Sequence, residues 1–524
     1  MNNRNTEEAW NYHNKTKHPG MPTHYLDWAN QPIPFKIYTT LDPIEIPTDL
    51  PPSNVPAITA ISNNVPVTSD ECIPDLRTLG RLLYLSAGIT KKVNYPGGEI
   101  HFRAAACTGA LYHIDLYIVT RDIEGLEAGV YHFGPHDFSL RTLRKGNFLG
   151  VIMSATGEES AITKAPITII TASTFWRNSW KYQSRAFRHT FWDSGTILAN
   201  LLAAASAHKI PAKIITGFVD STINNLLGLD TNREVAVSLV PLGDTEKSIQ
   251  AKSEEIETIS YETMPLSKKE IDYPLIRSIH QASSLTSEEE VKEWRTGTPE
   301  STLPEISGGL FPLDYNQDKE IGQISKTLEE TILKRGSTRQ FAQTSITFKQ
   351  LSNILYHSTS GIHADFLIPF GSTLNYMYLI VNDVEGIPKG AYFYHHNENA
   401  LELLKEGDFR DDARYLGLGQ DIPGEASVDV FFLNDLNQVL EKFGNRGYRV
   451  AELEAGIIGG KLYLGAYGQG LGASGLTFFD DDVVRFFSPH AEGKSVMFLV
   501  ALGKSVKMRK GEFNFSSGMK VSSR

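Results

Sequence analysis

Three cations stand within six residues at Lys334-Arg335-Gly336-Ser337-Thr338-Arg339, interrupted by a glycine and by two hydroxyl side chains. That combination suits a phosphate ester, because guanidinium groups give strong charge-assisted bonds while close backbone and hydroxyl donors complete the cradle. The same residues also fit a solvated helix end whose cations face the negative pole of the dipole. Composition alone leaves both readings open.

Other clusters suggest chemistry and are set aside. Gly470-x-Gly472-x-x-Gly475 satisfies the dinucleotide-binding string, but it follows a predicted helix and leads toward a strand, whereas the fingerprint needs strand, turn and then helix. Asp480-Asp481-Asp482 precedes Val483 to Phe487 and reads as the cap of a helix. His13 and His18 have a spacing that zinc fingers use, yet no cysteine pair or third ligand accompanies them, so no metal is expected. His395-His396 reads as surface. Cys72 and Cys107, the two cysteines of the chain, are too few for a zinc cluster or a disulfide framework and read as reduced thiols.

The elements that must position the cation cluster follow from periodicity. A helical pattern runs through Leu76, Leu79, Leu82 and Leu83 to Gly88, followed by extended segments at Leu116 to Val119 and Val130 to Phe133 around a turn at Glu124-Gly125. Ala165 to Thr171 is a β-branched run that fits a buried strand, and Arg185 to His208 has the low charge of a buried central helix. Val235 to Val240 is a further strand. A second series follows: a helix through Leu351 to Leu355, strands at Tyr378 to Val381, Ala391 to Tyr394 and Val428 to Phe432, a helix from about 449 to 468, and a strand at Val496 to Val500. Strands without regular alternation with helices favour an α+β fold. A helical run from Ile324 to Leu333 leads into the cation cluster.

The two series are one sequence written twice. Asp122-Ile-Glu124-Gly125, Gly129 and Tyr131 recur as Asp383-Val-Glu385-Gly386, Gly390 and Tyr392, an offset of 383 − 122 = 261 positions. Lys181, Arg185, Arg188 and Gly195 meet Lys442, Arg446, Arg449 and Gly456 at the same offset. A period this long means duplicated domains rather than a solenoid, whose repeats run to about 20–50 residues. With 524 residues there is room for two cores. Boundaries are expected at 1–55 for an N-terminal extension, 56–243 for the first domain, 244–325 for an acidic linker with short helices near 267–278 and 287–294, and 326–524 for the second domain.

A net charge of −11 argues against nucleic acid or an anionic membrane as a general partner. No apolar stretch approaches the roughly 18 residues of a membrane span, and the polar start lacks a signal-peptide core, so a cytoplasmic location is expected.

Several motifs carry a resemblance. Arg335-x-Ser337-x-Arg339 resembles the Arg-x-Ser-x-Arg/Lys signature of FMN-dependent nitroreductases. Arg103 to Tyr117, reading RAAACTGALYHIDLY, resembles a segment of the SagB-type dehydrogenases, the branch that includes azoline oxidases, as do Lys181-Tyr182 with Arg185-Ala-Phe-Arg188 and the late turn Gly470 to Asp480. The resemblance covers about 70–243 and 326–510.

It implies an α+β fold of two nitroreductase-like domains, each an antiparallel-rich central sheet flanked by helices, forming an intrachain pseudo-dimer, with FMN as cofactor. Arg335, Ser337, Lys507 and Arg509 would hold the phosphate, and Arg339 would approach the ring. Gly475 and Thr477 of the late turn and Cys107, Thr108 and Gly109 of the covering segment would also contact the cofactor. Lys181 and Tyr182 would do acid/base work.

The copies are unequal. The first reads Ala57-Ile-Thr-Ala-Ile-Ser-Asn-Asn-Val-Pro66 where the Arg-x-Ser-x-Arg signature belongs, and Asp244-Thr-Glu-Lys247 opposite Lys507-Met-Arg509. The second has Pro369 to Asn375 in place of the covering segment, and Lys442-Phe443 in place of Lys-Tyr. One FMN gripped by the second copy and covered by the first is the expectation. The expected activity is oxidation of a thiazoline- or oxazoline-like, amino-acid-derived or peptide substrate, with biosynthetic enzymes as partners. NAD(P)H-dependent reduction of nitro compounds or quinones, and a flavin-free scaffold role, stay open, as does further homo-oligomerisation.

Overall fold

The computed structural model describes residues 2–21, 24–49, 52–62, 71–95, 98–246, 248–251, 256–295, 297–299, 305–316 and 318–506. Two antiparallel sheets organise it. The first runs, in spatial order, Pro43–Glu45, Ser139–Lys145, Gly129–Gly134, Ile114–Thr120, Ile167–Thr174 and Glu234–Leu242. The second runs Gly472–Leu476, Ser495–Gly503, Val428–Asn434, Tyr376–Val381, Gly390–His395, Ala400–Glu406 and Gly309–Pro312. Every residue of Ile167–Thr174 and of Val428–Asn434 is buried, as expected for strands covered on both faces. The α+β class holds in both halves.

Each sheet packs on a long helix, Ala186–Ala207 in the first copy and Arg446–Gly468 in the second. These helices carry almost no exposed residue because they also pack on each other. They cross at equivalent glycines: a Cβ on Gly195 would stand 2.6 Å from the Gly456 carbonyl carbon, and one on Gly456 would stand 2.8 Å from Trp192 Cα. Contact between a residue and its own repeat places a pseudo-twofold axis at that crossing.

The symmetry extends to charge. Arg188 and Arg185 reach Asp480 of the second copy at 2.8 and 3.3 Å, while their repeats Arg449 and Arg446 reach Asp220 of the first at 2.8 and 2.6 Å. Asp480 therefore does not cap its helix, as its sequence position suggested. Phe479 is the N-cap, and the buried Asp480 carboxylate serves the two arginines and the His18 N–H.

The terminal and connecting segments repeat each other too. The helix Glu7–Lys15 presents the His13 carbonyl to Arg188 at 2.9 Å, and the helix Pro274–Ala282 presents the His280 carbonyl to Arg449 at 2.7 Å. Ile44 pairs with Leu140 at one sheet edge as Phe311 pairs with Leu401 at the other. So the stretch whose composition reads as a linker supplies to the second copy what the N-terminal extension supplies to the first. Pro274 opens its helix at the first turn, where its missing N–H costs nothing.

Two local expectations change, and one element is additional to them. The run from Ile324 to Leu333 is two helices, Asp318–Ile324 and Leu328–Lys334, because the Thr327 side chain caps a new N-terminus by accepting the Glu330 N–H. A hairpin, Ile89–Tyr95 with Gly98–Arg103, occurs in the first copy and has no counterpart among the described residues of the second. His395 is buried, not superficial, with Nε2 2.7 Å from Glu402. Among the described residues no helix is long and apolar enough to cross a membrane.

Candidate active site

The cation cluster begins where a helix ends. Arg335 is the C-cap of Leu328–Lys334 with an extended conformation, so the chain leaves the helix and runs along the second sheet, where the Thr338 N–H bonds the Ala473 carbonyl at 2.9 Å. Arg335 crosses the copy interface. Its Nε and Nη2 donate to the carbonyls of Ala104 and Arg103 in the first copy at 2.8 and 3.0 Å, leaving Nη1 without a partner among the described residues. Ser337 Oγ lies 3.1 Å from the Tyr463 hydroxyl, which also accepts the Gly475 N–H at 2.5 Å. The exposed Arg339 makes no ion pair among the described residues.

Lys181 and Tyr182 end the helix Phe175–Tyr182 of the first copy, held by Gln183 with φ +50°. Burial, and then the charge of Arg339, lower the Lys181 pKa. Arg339 of the cluster therefore acts on the pair from the other copy. Burial raises the Tyr182 pKa, Asp193 and Cys107 add to that rise, and Arg339 opposes it, so the phenol keeps its proton at neutral pH.

The segment Cys107 to Ala110 lies beneath this pair. Gly109 has φ +64°, and a Cβ there would meet the Tyr182 hydroxyl at 2.8 Å, so glycine permits both the turn and the contact. Asp193 on the central helix anchors the segment. One of its oxygens accepts Thr108 N–H and Oγ1–H at 2.9 and 2.8 Å, and the other receives Cys107 Sγ at 3.1 Å and His113 Nε2 at 2.9 Å. Burial, reinforced by Asp193, pushes the Cys107 thiol well up, which keeps it a protonated anchor rather than a nucleophile.

The donors fit an anionic cofactor with a polar ring edge. Arg335 Nη1 and Arg339 supply charge, and the buried hydroxyls of Ser474, in the strand Gly472–Leu476, and of Thr477, just past it, have no protein partner among the described residues. Gly475 is placed beside them, but its N–H is already given to Tyr463. Lys507 and Arg509 lie outside the described residues.

At the pseudo-symmetric position the corresponding groups are sealed. Thr216, one repeat before Thr477, donates to Asp365 at 2.9 Å, and the Thr216 and Gly217 N–H groups bind the same carboxylate at 2.9 and 2.8 Å. Phe443, the counterpart of Tyr182, packs on Trp294 with ring centroids 5.2 Å apart, and its carbonyl accepts the Trp294 indole N–H at 3.0 Å. The described residues of the signature's counterpart, Ala57 to Ser62, contain no cation.

Sequence reasoning missed Tyr463, Asp193, Asp365 and Trp294. Tyr463 left a signal, since its repeat in the first copy is Leu202: a polar group had been gained in the same copy that holds the cations.

The profile of the nitroreductase family matches residues 85–244 and 332–504. A candidate nitroreductase of Methanocaldococcus jannaschii, MJ1384, is 26% identical over 168 residues, 32% of this chain and 80% of that protein. The trifolitoxin-processing protein TfxB of Rhizobium leguminosarum bv. trifolii is 31% identical over 171 residues, 31% of this chain and 45% of that protein, so less than half of TfxB is spanned. The crystal structure of a candidate nitroreductase from Anabaena variabilis superposes with a TM-score of 0.76 at 26% identity, covering 95% of this chain and 99% of that one. That structure therefore shares the whole two-copy arrangement. Matched in both halves and over more than half of its length, this chain belongs to the nitroreductase family.

Proposed function

We propose that the chain is an FMN-dependent oxidoreductase with one composite site, oxidising a thiazoline- or oxazoline-like ring or a related peptide-derived substrate. The observations that support this reading are the electrostatic coupling of Lys181 and Tyr182 in one copy to Arg339 in the other, and the hydrogen bonds of Arg335 across the interface to the Arg103 and Ala104 carbonyls. FMN, when bound, supplies two-electron chemistry at its ring. Arg335 and Ser337 would hold the phosphate end, joined by Lys507 and Arg509, and Arg339 would balance negative charge near the ring. The Thr477 hydroxyl and the backbone of Cys107, Thr108 and Gly109 would line the ring edge. Lys181, with its lowered pKa, takes a proton from the substrate carbon, and Tyr182 keeps its own proton as a hydrogen-bond donor.

The likeness to TfxB supports a peptide-derived substrate and partner enzymes of a biosynthetic system. The likeness to the Methanocaldococcus protein supports a second reading, NAD(P)H-dependent reduction of a nitro compound or quinone, on the same residues. Two assays on the purified, flavin-loaded chain separate them. Oxygen-linked conversion of a thiazoline peptide to a thiazole supports the first, whereas rapid loss of flavin absorbance on adding NAD(P)H, with no azole formed, replaces it by the second.

A further inference from the structure

Each half of the chain lays a tryptophan on the helix that ends in its lysine–aromatic pair, and the two halves use it differently. In the second copy that helix is Leu436–Phe443, and Trp294, from the segment that follows the helix Pro274–Ala282, packs on Phe443 with 1% of its surface exposed. In the first copy the helix is Phe175–Tyr182, and the segment that follows Glu7–Lys15 sets Trp28 on Trp180 instead, T-shaped, with ring centroids 5.4 Å apart. Trp28 stays 62% exposed, and Tyr25 89%.

The segment that presents these rings is fastened to the helix beneath it. His24 Nε2 lies 2.8 Å from the Trp180 carbonyl, and the Trp180 indole N–H donates to the Asp27 carbonyl at 3.1 Å. Leu26 packs against a small apolar cluster of Leu111, Trp176, Trp180 and Leu266, apart from the main core, and Tyr182 packs against the same cluster. Leu26 is thus spent inward while Tyr25 and Trp28 are left to solvent.

A single exposed aromatic needs no explanation, but here the tryptophan of the other half is buried, and two rings that could each cover on the order of 150–250 Å² stand beside the composite site. Trp180 is the residue before Lys181. The ledge therefore lies on the order of 10 Å from the Lys181 side chain, about three residues of extended peptide at about 3.3 Å each. Asp27 is exposed between the two rings, and the exposed Lys269 is next to them, its carbonyl accepting Asn30 Nδ2 at 2.7 Å, so no net charge selects an ion.

We propose, on the reading of a peptide-derived substrate given above, that Tyr25 and Trp28 form a ledge for a large apolar side chain of that peptide, about three residues from the ring that Lys181 deprotonates. Ring-on-ring contact is what covers the corresponding tryptophan of the other half, where Phe443 meets Trp294. Tryptophan and tyrosine are also the side chains that most often anchor a bound chain.

The flavin-loaded full chain tests this with 2-methylthiazoline-4-carboxamide and with peptides that place phenylalanine, glutamate or lysine three residues to either side of one thiazoline. On one side, the phenylalanine peptide should have a KM about tenfold below those of the charged peptides. Trp28→Ala should raise that KM about tenfold with kcat unchanged, since binding away from the reacting ring is lost equally from ground and transition states. Tyr25→Ala, which has little packing to lose, should raise it about threefold, and neither change should move kcat/KM for the small carboxamide by more than about twofold. Equal losses on the carboxamide would make Trp28 a mere support for Trp180 and overturn the proposal. So would a preference for glutamate or lysine, or a Trp28→Ala chain that sediments as a smaller oligomer, which would give the ledge to a second copy. Azole formation with a KM indifferent to both variants removes the ledge alone, whereas no azole from any of these substrates removes the peptide reading and the ledge with it.

Discussion

Thr216 gives its hydroxyl to Asp365 at 2.9 Å, while its repeat Thr477 keeps a buried hydroxyl without a protein partner among the described residues. The same turn is thus closed in one copy and open in the other. The closing group comes from the segment that in the first copy receives Arg335: Asp365 is the repeat of Ala104, whose carbonyl accepts that guanidinium. A cation belongs to one half of the pseudo-dimer and an anion to the other.

The first prediction is a stoichiometry of one FMN per chain, measured from the flavin spectrum of protein quantified by amino-acid analysis. Arg335→Ala should weaken FMN by about 1.5–3 kcal/mol, or roughly 10- to 150-fold, as expected for loss of hydrogen bonds to a charged group. Asp365→Asn, at the closed position, should leave flavin affinity within about twofold, because the neutral amide cannot create a phosphate site. Two flavins per chain would refute the composite arrangement.

A second prediction concerns pH. Burial and Arg339 both lower the Lys181 pKa, so the free amine is available below the usual lysine range. Turnover should rise with pH through that lowered value. Arg339→Gln removes one of the two causes and should move the rising limb of the kcat profile to higher pH, whereas Lys181→Met should cut kcat by about 10²- to 10⁴-fold with flavin retained. A limb that stays in place in Arg339→Gln would assign the titration to another group.

The repeat, both central helices and the principal strands were legible in the sequence because apolar periodicity and a constant offset are local properties. The cation cluster was legible because its residues are adjacent. The pairing of Arg188 with Asp480 was not, since it joins positions 292 residues apart and the aspartate by itself looks like a helix cap. The kinship of the helices at Glu7–Lys15 and Pro274–Ala282 escaped for a different reason. What they conserve is a backbone carbonyl offered to an arginine, and only His13 and His280 betray it. Asp193 and Glu454 likewise act on loops about eighty residues away, so their shared task appears only once the loops are folded onto the helices.

The buried arginine pairs give an acid-stability prediction. Burial alone would raise the Asp220 carboxyl, but Arg446 and Arg449 overcome it and hold its pKa at about 2, below the usual 3.8. A carboxylate depressed on folding contributes stability that is complete above the unfolded value and is lost as pH falls through the folded one. Asp480 is shifted in the same direction by Arg185 and Arg188 against its own burial. The melting temperature should therefore fall as pH drops from about 4 to 2. Asp220→Asn should flatten part of that slope while costing about 3–5 kcal/mol at neutral pH, because two buried guanidinium groups lose their carboxylate.

The last prediction addresses the crossing that makes one site out of two copies. A methyl on Gly195 would lie 2.6 Å from both the Gly456 carbonyl carbon and the Ile457 nitrogen, so backbone meets backbone and no flexible side chain can yield. Replacing a helical glycine by alanine ordinarily gains about 0.5–1 kcal/mol, whereas overpacking costs about 1–3 kcal/mol or more. Gly195→Ala should therefore lower the melting temperature. It should also weaken FMN and reduce kcat/KM, since separating the central helices draws Lys181 away from Arg339. Gly322 in the helix Asp318–Ile324 supplies the control, because nothing lies within 4 Å of a Cβ placed there. Gly322→Ala should be neutral or slightly stabilising and leave catalysis alone. If Gly195→Ala instead melts and binds flavin like Gly322→Ala, close approach at the pseudo-twofold axis is not what holds the composite site together.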